Sequence, residues 1–341
     1  MTQLRSRIAI IGAGIAGCAC ARQLALAGFH PTLFDKSRGA GGRMATRRGK
    51  RIDAGGTPRP FAFDHGAQYF TARHPDFIAL VTAGIRAGWI APWAPRIGGA
   101  AHSDTRYVAV PAMPALARQL ANDLPLHTEF TVDALHRALA DGQPSWRLGA
   151  GDGLHPEAFD AVILAMPAAQ AAALLAPHRP DWATAALTAP MLPCWTLMAV
   201  TAEPFWPHDA LRPAQGPLAW IARNDSKPGR PREPGCAHWI AQATPEWSRE
   251  HLELEPDAAQ ALLLAALREA IGPAAARVAL HFAAVHRWRY ARPDDASTVA
   301  TGAPWWDAAL GLGACGDFLG GGRVEAAFLN GDALARLIVA G

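Results

Sequence analysis

The stretch IAIIGAGIAGCACARQLALAGFHPTLFDK, residues 8–36, decides the fold. Its first four residues form a continuous apolar run, the pattern of a strand buried on both faces of a parallel sheet. Gly12, Gly14 and Gly17 follow as G-x-G-x-x-G. In that spacing the first glycine permits a tight turn and the second lets the backbone approach a pyrophosphate. The third lets the helix pack close to the strand. The pattern predicts a strand over 7–11, a helix over 16–27 ended by Gly28, and a second strand over 31–34. Asp35 closes that strand, where a carboxylate can take both hydroxyls of a ribose. Glycine turns are common, so the triplet alone says little. Flanked by strand, helix, strand and a terminal acid, it specifies half of a dinucleotide site. Asp35 suits the ribose of NAD or FAD and disfavours a 2′-phosphate.

The same segment imitates a secretion signal: a basic start, an apolar stretch, and Ile15-Ala16-Gly17-Cys18 in the manner of a lipoprotein cleavage box. No signal sequence needs glycines at fixed spacing, so the strand reading is preferred. No later apolar run approaches the roughly 18 uncharged residues of a membrane span, and no membrane partner is expected.

The chain has 341 residues, 50% hydrophobic and 18% charged, with a formal net charge of +3. Such a chain can bury a large core and hold two substructures. Its charge is too small to imply a polyanion partner. The five cysteines (Cys18, Cys20, Cys194, Cys236, Cys315) are odd in number and scattered. Without CxxC or Cys/His ligand spacing, neither a disulfide framework nor a metal site is expected. Reduced thiols in a cytoplasmic protein fit best.

KSRGAGGRMATRRGKR, residues 36–51, carries seven basic residues and no acid. A nucleic-acid site would interleave aromatic side chains with the charges, and none is present. Residues 37–46 instead resemble the R-x-G-G-R-x-x-T stretch of FAD enzymes of the amine-oxidase and glutathione-reductase-like superfamily. That resemblance implies that Arg38, Gly41, Gly42 and Arg43 line the diphosphate and the path to the flavin. RRGKR, residues 47–51, lies past the motif and reads as an exposed turn.

At the other end, GLGACGDFLGGGRVEAAFLNGDALARLIVAG (311–341) resembles the C-terminal FAD motif of the same superfamily. The resemblance places Gly316 and Asp317 at the ribityl chain and pyrophosphate. Arg323, Val324 and Glu325 begin a helix to about Ile338, its positive end aimed at the flavin N1/C2 edge. The implied cofactor set also takes Ile15, Ala16, Lys36, Met44, His65, Gly66, Ala67, Gln68 and Met166. There is no second G-x-G-x-x-G, so no separate NAD(P)H domain is expected.

Between these ends, 159–167 read as a strand returning to the first sheet, 108–124 as a loop and helix, and 131–148 as strands joined at Asp141-Gly142. Trp- and Pro-rich strands lie within 182–285, followed by a helix over 256–271. NDSKPGRPREPG, 224–235, reads as a surface loop. The expected fold is α/β: a Rossmann-like FAD-binding domain with a parallel sheet and β-meander, plus an α+β substrate domain with a mainly antiparallel sheet. The first is assigned 1–74, 100–181 and 286–341, the second 75–99 and 182–285.

FDKSRGAGGRMATRR, FDHGAQYFTAR, ARNDSKPGR, ATPEWSREHL and HRWRYARP together closely resemble bacterial renalase-like proteins. The resemblance implies an FAD-dependent oxidase, with non-covalent FAD, that oxidises 2- or 6-dihydro isomers of NAD(P)H to NAD(P)+ while O2 becomes hydrogen peroxide. Hydride transfer from a dihydronicotinamide needs stacking and exclusion of water but no general base. Candidates for the pocket edge are His65, Gln68, Tyr69, Trp288, Arg289 and Tyr290. Trp288 or Tyr290 would stack on the nicotinamide, and His65 and Gln68 would hydrogen-bond its carboxamide or the flavin. Asn224, Lys227 and Arg230 are candidates for substrate phosphates, although a solvated loop is the preferred reading for them.

Three rivals stand beside this reading. An amine oxidase of the superfamily would carry an aromatic cage and often a lysine near the flavin, whereas this chain has three tyrosines and three lysines, none placed for that role by sequence. A flavin desaturase of apolar substrates would want a long greasy channel. A non-catalytic flavin-binding protein is the third.

Overall fold

The structure, a computed structural model, describes residues 7–98, 104–140, 142–204, 206–273, 277–294 and 303–341. The basic start of the chain, the expected turn residue Asp141 and the expected division near residue 100 lie outside them.

Strand β1 (Arg7–Ile11), helix α1 (Ile15–Leu26) and strand β2 (His30–Phe34) form where the glycine spacing puts them. The chain continues through β3 (Thr46–Ile52), β4 (Pro58–Asp64), α2 (Pro75–Arg86), β5 (Ile90–Trp93), β6 (Ile97–Gly98) and β7 (Arg106–Ala109). Then come α3 (Ala115–Leu120), β8 (Leu126–His127), β9 (Ala134–Ala140), β10 (Gln143–Ala150), β11 (Gly153–Leu154), β12 (Ala161–Leu164), α4 (Ala168–Leu175) and α5 (Pro180–Leu187). The second half runs β13 (Met191–Ala202), β14 (Ala210–Leu211), β15 (Leu218–Arg223), β16 (Cys236–Ala243), α6 (Pro245–Glu250), α7 (Pro256–Ile271) and β17 (Leu280–Pro293). It ends with β18 (Trp305–Asp307), β19 (Leu312–Ala314), α8 (Asp317–Gly320) and α9 (Val324–Ala340).

The first sheet has the order β18-β19-β12-β1-β2-β8. Its pairings are parallel except for the edge strand β18. Alternate residues of β1 serve two cores, which is why its apolar run is unbroken. Ile8 and Ile10 pack with Leu24 of α1 and Leu334 and Ile338 of α9. Ala9 and Ile11 pack with Trp146 and Leu148 of the β9–β10–β11 meander and with α4. Phe77 and Val81 of α2 join the first of these cores.

The second sheet has the order β17-β13-β16-β15-β14-β6, antiparallel except between β14 and β6. Its outer face packs on α7, whose buried residues Ala259, Leu263, Leu267 and Ile271 repeat every four positions. The inner face looks toward the first sheet. There Met198, Val200 and Ile240 meet Phe61 and Phe63 of β4, and Trp220 and Ala222 join the core containing Ile8. The expected boundary between 285 and 286 falls inside β17.

Two sequence expectations are corrected. Residues 47–51 are not a turn but the body of β3, paired antiparallel to β4. Arg47, Arg48 and Lys50 point out, while Arg51 turns inward to Glu233 at 2.6 Å. Residues 224–235 are not a solvated surface loop, because Asn224, Asp225, Lys227 and Arg230 are buried. Local composition signals a loop but cannot show that its cations Lys227 and Arg230 meet a carboxylate 163 and 166 residues upstream.

Candidate active site

The turn after β1 is built by close backbone approach. Gly12 has φ +111°, and a Cβ there would lie 2.2 Å from the Ala165 carbonyl oxygen; one on Gly17 would lie 1.9 Å from the Gly12 oxygen. Gly14 is different, since nothing lies within 4 Å of where its Cβ would be. It caps α1 without a side-chain hydrogen bond, and the first turn of α1 carries no acid. Asp35 fastens the turn: Oδ2 accepts from the Ala13 N–H at 2.8 Å and Oδ1 from the Ser37 N–H at 2.7 Å. The Gly41 N–H donates to the Ala13 carbonyl at 2.9 Å, which lays the G-G-R segment over the turn. Lys36 and Arg38 are exposed at its rim. Ile15 and Ala16 are buried at the start of α1, and Met44 is buried behind Gly42 and Arg43.

Arg43 joins the two ends of the chain. Its guanidinium donates to both Asp317 carboxylate oxygens, at 2.8 and 2.6 Å. Its carbonyl accepts from the Ala67 N–H at 2.9 Å, and Gly66 approaches so closely that a Cβ would be 1.9 Å from that oxygen. Glu325 accepts from the backbone N–H groups of Arg73 and His74, at 2.6 and 2.7 Å, tying the start of α9 to the end of FDHGAQYFTAR. Arg323 caps α9 and Val324 opens it, with no side-chain cap. The Gly316 N–H donates to Asn330 Oδ1 at 2.8 Å, while Met166 follows β12 half-buried. A Cβ on Gly331 would sit 2.1 Å from the Ala16 oxygen, so α9 crosses α1 only because that residue is glycine. Sequence reading missed Gly331, for which no local signal exists.

The inner face of the second sheet roofs this ground. Register places Trp220, Gln242, Thr196 and His286 side by side across β15, β16, β13 and β17. Gln242 Nε2 donates to the Gly66 carbonyl and Trp288 Nε1 to the His65 carbonyl, both at 2.9 Å. His65 stacks on Trp288 with centroids 5.2 Å apart, and His286 meets both rings edge-on at 4.7 and 4.4 Å. Burial pushes both imidazoles below their ordinary pKa, His286 to about 4. His65 and Arg47 add to the shift of His286 by repelling its charge.

The alternation of β17 divides HRWRYARP. Trp288 and His286 lie on the inner face, while Tyr290, half-buried, falls where the β13–β17 register shifts. Arg289 does not join them. It lies on the opposite face, donating to both Glu253 oxygens at 2.6 and 2.8 Å. His286, missed by sequence reading, was legible as the residue two before Trp288.

Gln68 is also differently employed. Its amide donates to the Asp64 and Gly66 carbonyls and its oxygen accepts from Lys227 at 3.1 Å, so its donors are spent inside the protein. Around it lies a buried ion cluster: Asp64 Oδ2 receives Arg230 at 2.7 Å and Lys227 at 3.3 Å. Thr46 donates to the other Asp64 oxygen at 2.6 Å, and Lys227 donates to Asn224 Oδ1 at 3.2 Å. Burial lowers the Lys227 pKa to about 8, against the attraction of Asp64. Burial alone would raise Asp64, but Lys227 and Arg230 hold it below its ordinary value. Tyr69 stands apart, its hydroxyl accepting from Arg212 at 2.8 Å.

Residues 98–309, more than half of the chain, match the family model described as flavin containing amine oxidoreductase, and residues 10–83 match an NAD(P)-binding Rossmann-like domain. The chain belongs to the flavin-containing amine oxidoreductase family. Among solved structures it is similar to cyclohexylamine oxidase from Brevibacterium oxydans IH-35A, with 14% identity, 98% and 99% of the two chains covered and a TM-score of 0.70. It is similar to putrescine oxidase bound to putrescine (14%, 98% and 99%, TM-score 0.66) and to reduced UDP-galactopyranose mutase (10%, 99% and 94%, TM-score 0.70). At such identities these likenesses speak to fold alone.

As a flavin-containing amine oxidoreductase the chain is an FAD-dependent oxidoreductase, and its residues fit that cofactor. The uncapped, acid-free start of α1 and the open space at Gly14 suit a diphosphate. Asp35 retains lone pairs for a ribose beyond its two backbone donors. No helix among the described residues is long and apolar enough to cross a membrane.

Proposed function

We propose that this flavin-dependent oxidoreductase takes a hydride from a 2- or 6-dihydro isomer of NAD(P)H and passes the electrons to dioxygen. The balance is dihydropyridine plus O2 plus one proton giving NAD(P)+ plus H2O2. The renalase-like motifs support this reading, and so does one observation in particular. Trp288 and His286 of the roof gather with His65 beneath into an uncharged aromatic cluster, His65 stacked on Trp288 and His286 edge-on to both, with both imidazoles held neutral by burial.

Non-covalently bound FAD supplies the hydride acceptor and, once reduced, the reductant of dioxygen. The chain supplies the rest. Trp288, fixed by its bond to the His65 carbonyl, gives a flat surface against which a dihydropyridine stacks. Neutral His65 and His286 offer that ring hydrogen bonds without placing a positive charge beside the cation the product becomes. No proton leaves the substrate carbon, so no carboxylate base is needed. A cytoplasmic location and O2 as acceptor belong to the same proposal.

Amine oxidation is the second reading, favoured by one observation: Lys227, expected in solvent, is buried and bonded to Gln68. Anaerobic mixing of the yellow protein with 2-, 4- and 6-dihydro-NAD(P) and with catecholamines separates the two. Rapid bleaching by the 2- or 6-isomers is the expected result. Bleaching by amines, with no response to those isomers, would overturn the proposal. No bleaching by any of them would leave a non-catalytic flavin-binding protein.

A further inference from the structure

Beside the aromatic roof lie two arginines that have no counter-ion among the described residues. Arg106, on β7, is 7% exposed and stands over the Tyr69 ring, its guanidinium carbon 5.2 Å from the centroid. Arg212, just past β14, donates to the Tyr69 hydroxyl and stands 5.2 Å from the centroid of Trp220. Tyr69 and Trp220 are themselves 5.6 Å apart, so both guanidiniums gather round one pair of rings. Among the described residues neither arginine pairs with a carboxylate; their acceptors are the Tyr69 hydroxyl and the Asp104 carbonyl. Among the described residues, Arg106 Nε, Arg212 Nε and Trp220 Nε1 are buried N–H donors without an acceptor.

This contrasts with the neighbouring cations. Lys227 and Arg230 are buried, as Arg106 is, but share Asp64; Arg223, half-buried like Arg212, is paired with Asp225 and Glu203. Buried charge is ordinarily compensated, and an unpaired N–H in the interior costs free energy. Two uncompensated guanidiniums and an orphan indole N–H at one place describe a site completed by an oxyanion from outside the chain.

Its position assigns the source. Trp220 begins the row Trp220–Gln242–Thr196–His286 across the sheet. Three strand spacings separate its two ends, about 14 Å. A substrate with its ring at His286 and Trp288 and a negatively charged tail along the row would bring that tail to the arginines. We infer that Arg106, Arg212 and Trp220, ordered by Tyr69, form a subsite for a phosphate group of the substrate. The assignment to substrate rests on the proposed dihydropyridine oxidation; the oxyanion site itself does not. The subsite also works against amine substrates, whose ammonium group it repels.

Inorganic pyrophosphate titrated into the FAD-bound protein by calorimetry tests the site without turnover. Saturable binding is expected, weakened about tenfold or more in Arg106→Met and Arg212→Met, because each removes charge-assisted donors. Tyr69→Phe, which keeps the core filled and frees Arg212, should weaken binding less, and the exposed Arg336→Met should leave it unchanged. Turnover supplies the second readout: a 2-dihydro-NAD dinucleotide, whose pyrophosphate extends farther from the ring along the row, against the phosphate-free riboside. The wild type should prefer the phosphorylated compound in KM, and the preference should collapse in Arg212→Met. Mere structural damage would impair both compounds alike. Absence of pyrophosphate binding, or equal binding by wild type and both arginine variants, overturns the subsite. Pyrophosphate binding without oxidation of any dihydropyridine would overturn the proposed reaction and leave the oxyanion site standing.

Discussion

Arg43 and Asp317, 274 residues apart, are held in a two-point ion pair at 2.8 and 2.6 Å. The glycine-arginine segment after β2 and the Gly-Asp pair that opens α8 thus become one surface. Asp317 is 9% exposed in its side chain and Arg43 29%, so the pair is only partly screened by solvent. Asp317→Asn should cost about 2 kcal/mol, the worth of charge-assisted hydrogen bonds at a part-buried site. Urea unfolding measures that loss, and faster flavin release should accompany it. Combining it with Arg43→Met should cost less than the two losses added, since each removes the same contact.

Asp64 faces two buried cations, and the three replacements should differ in order. Asp64→Asn leaves Lys227 and Arg230 uncompensated in the interior and should cost on the order of 3–5 kcal/mol. Lys227→Met removes the more distant cation, at 3.3 Å, and leaves Arg230 on the carboxylate at 2.7 Å. It should be the mildest of the set, with Arg230→Met between. An equal shift of the urea midpoint in all three variants would refute this ordering.

Those same residues mark where the sequence stops being legible. The β1–α1–β2 unit and α7 are written locally, in glycine spacing and in apolar periodicity, and the structure has them within a residue of the predicted bounds. Asn224, Lys227 and Arg230 sit in a segment whose prolines, glycines and charges read as solvated, and their burial depends on Asp64 in another part of the chain. Arg289 looked like a pocket residue because it neighbours Trp288, yet alternation along β17 sends neighbours to opposite faces. The same rule read two residues back would have found His286. Arg106 and Arg212 gave no signal, for a cation without a carboxylate among the described residues is defined by what its surroundings lack.

The neutral histidines of the roof give stability a pH dependence. Below pH 6.5 the unfolded chain protonates His286, whereas the folded chain refuses that proton until about pH 4. The unfolded state then binds more protons, so stability falls as pH drops from 6.5 toward 4. His65, shifted in the same direction by burial, adds to the slope. His286→Asn should flatten this part of the stability curve and leave the plateau above pH 7 little altered. Urea midpoints collected from pH 4 to 8 would show it; an unchanged slope in the variant would place His286 in a solvated, ordinary environment.

Two glycines in the same fold should respond oppositely to the addition of one methyl group. At Gly331 a Cβ would lie 2.1 Å from the Ala16 carbonyl oxygen, a backbone atom that cannot swing aside. Alanine is the better helix former by about 1 kcal/mol, but separating α1 from α9 should cost at least about 3 kcal/mol, so the clash wins. Gly331→Ala should therefore lower the melting temperature markedly with or without flavin. At Gly14 the backbone already has φ −77°, which alanine adopts freely, and nothing lies within 4 Å of the added carbon. Gly14→Ala should fold with a stability within about 1 kcal/mol of the parent. Its methyl group occupies the space a diphosphate would use, so flavin affinity should fall at least tenfold. Flavin content after gel filtration, measured beside the melting temperature of the flavin-free proteins, separates the cases. A Gly14→Ala protein that stays as yellow as the parent would mean the diphosphate does not approach α1 through this opening.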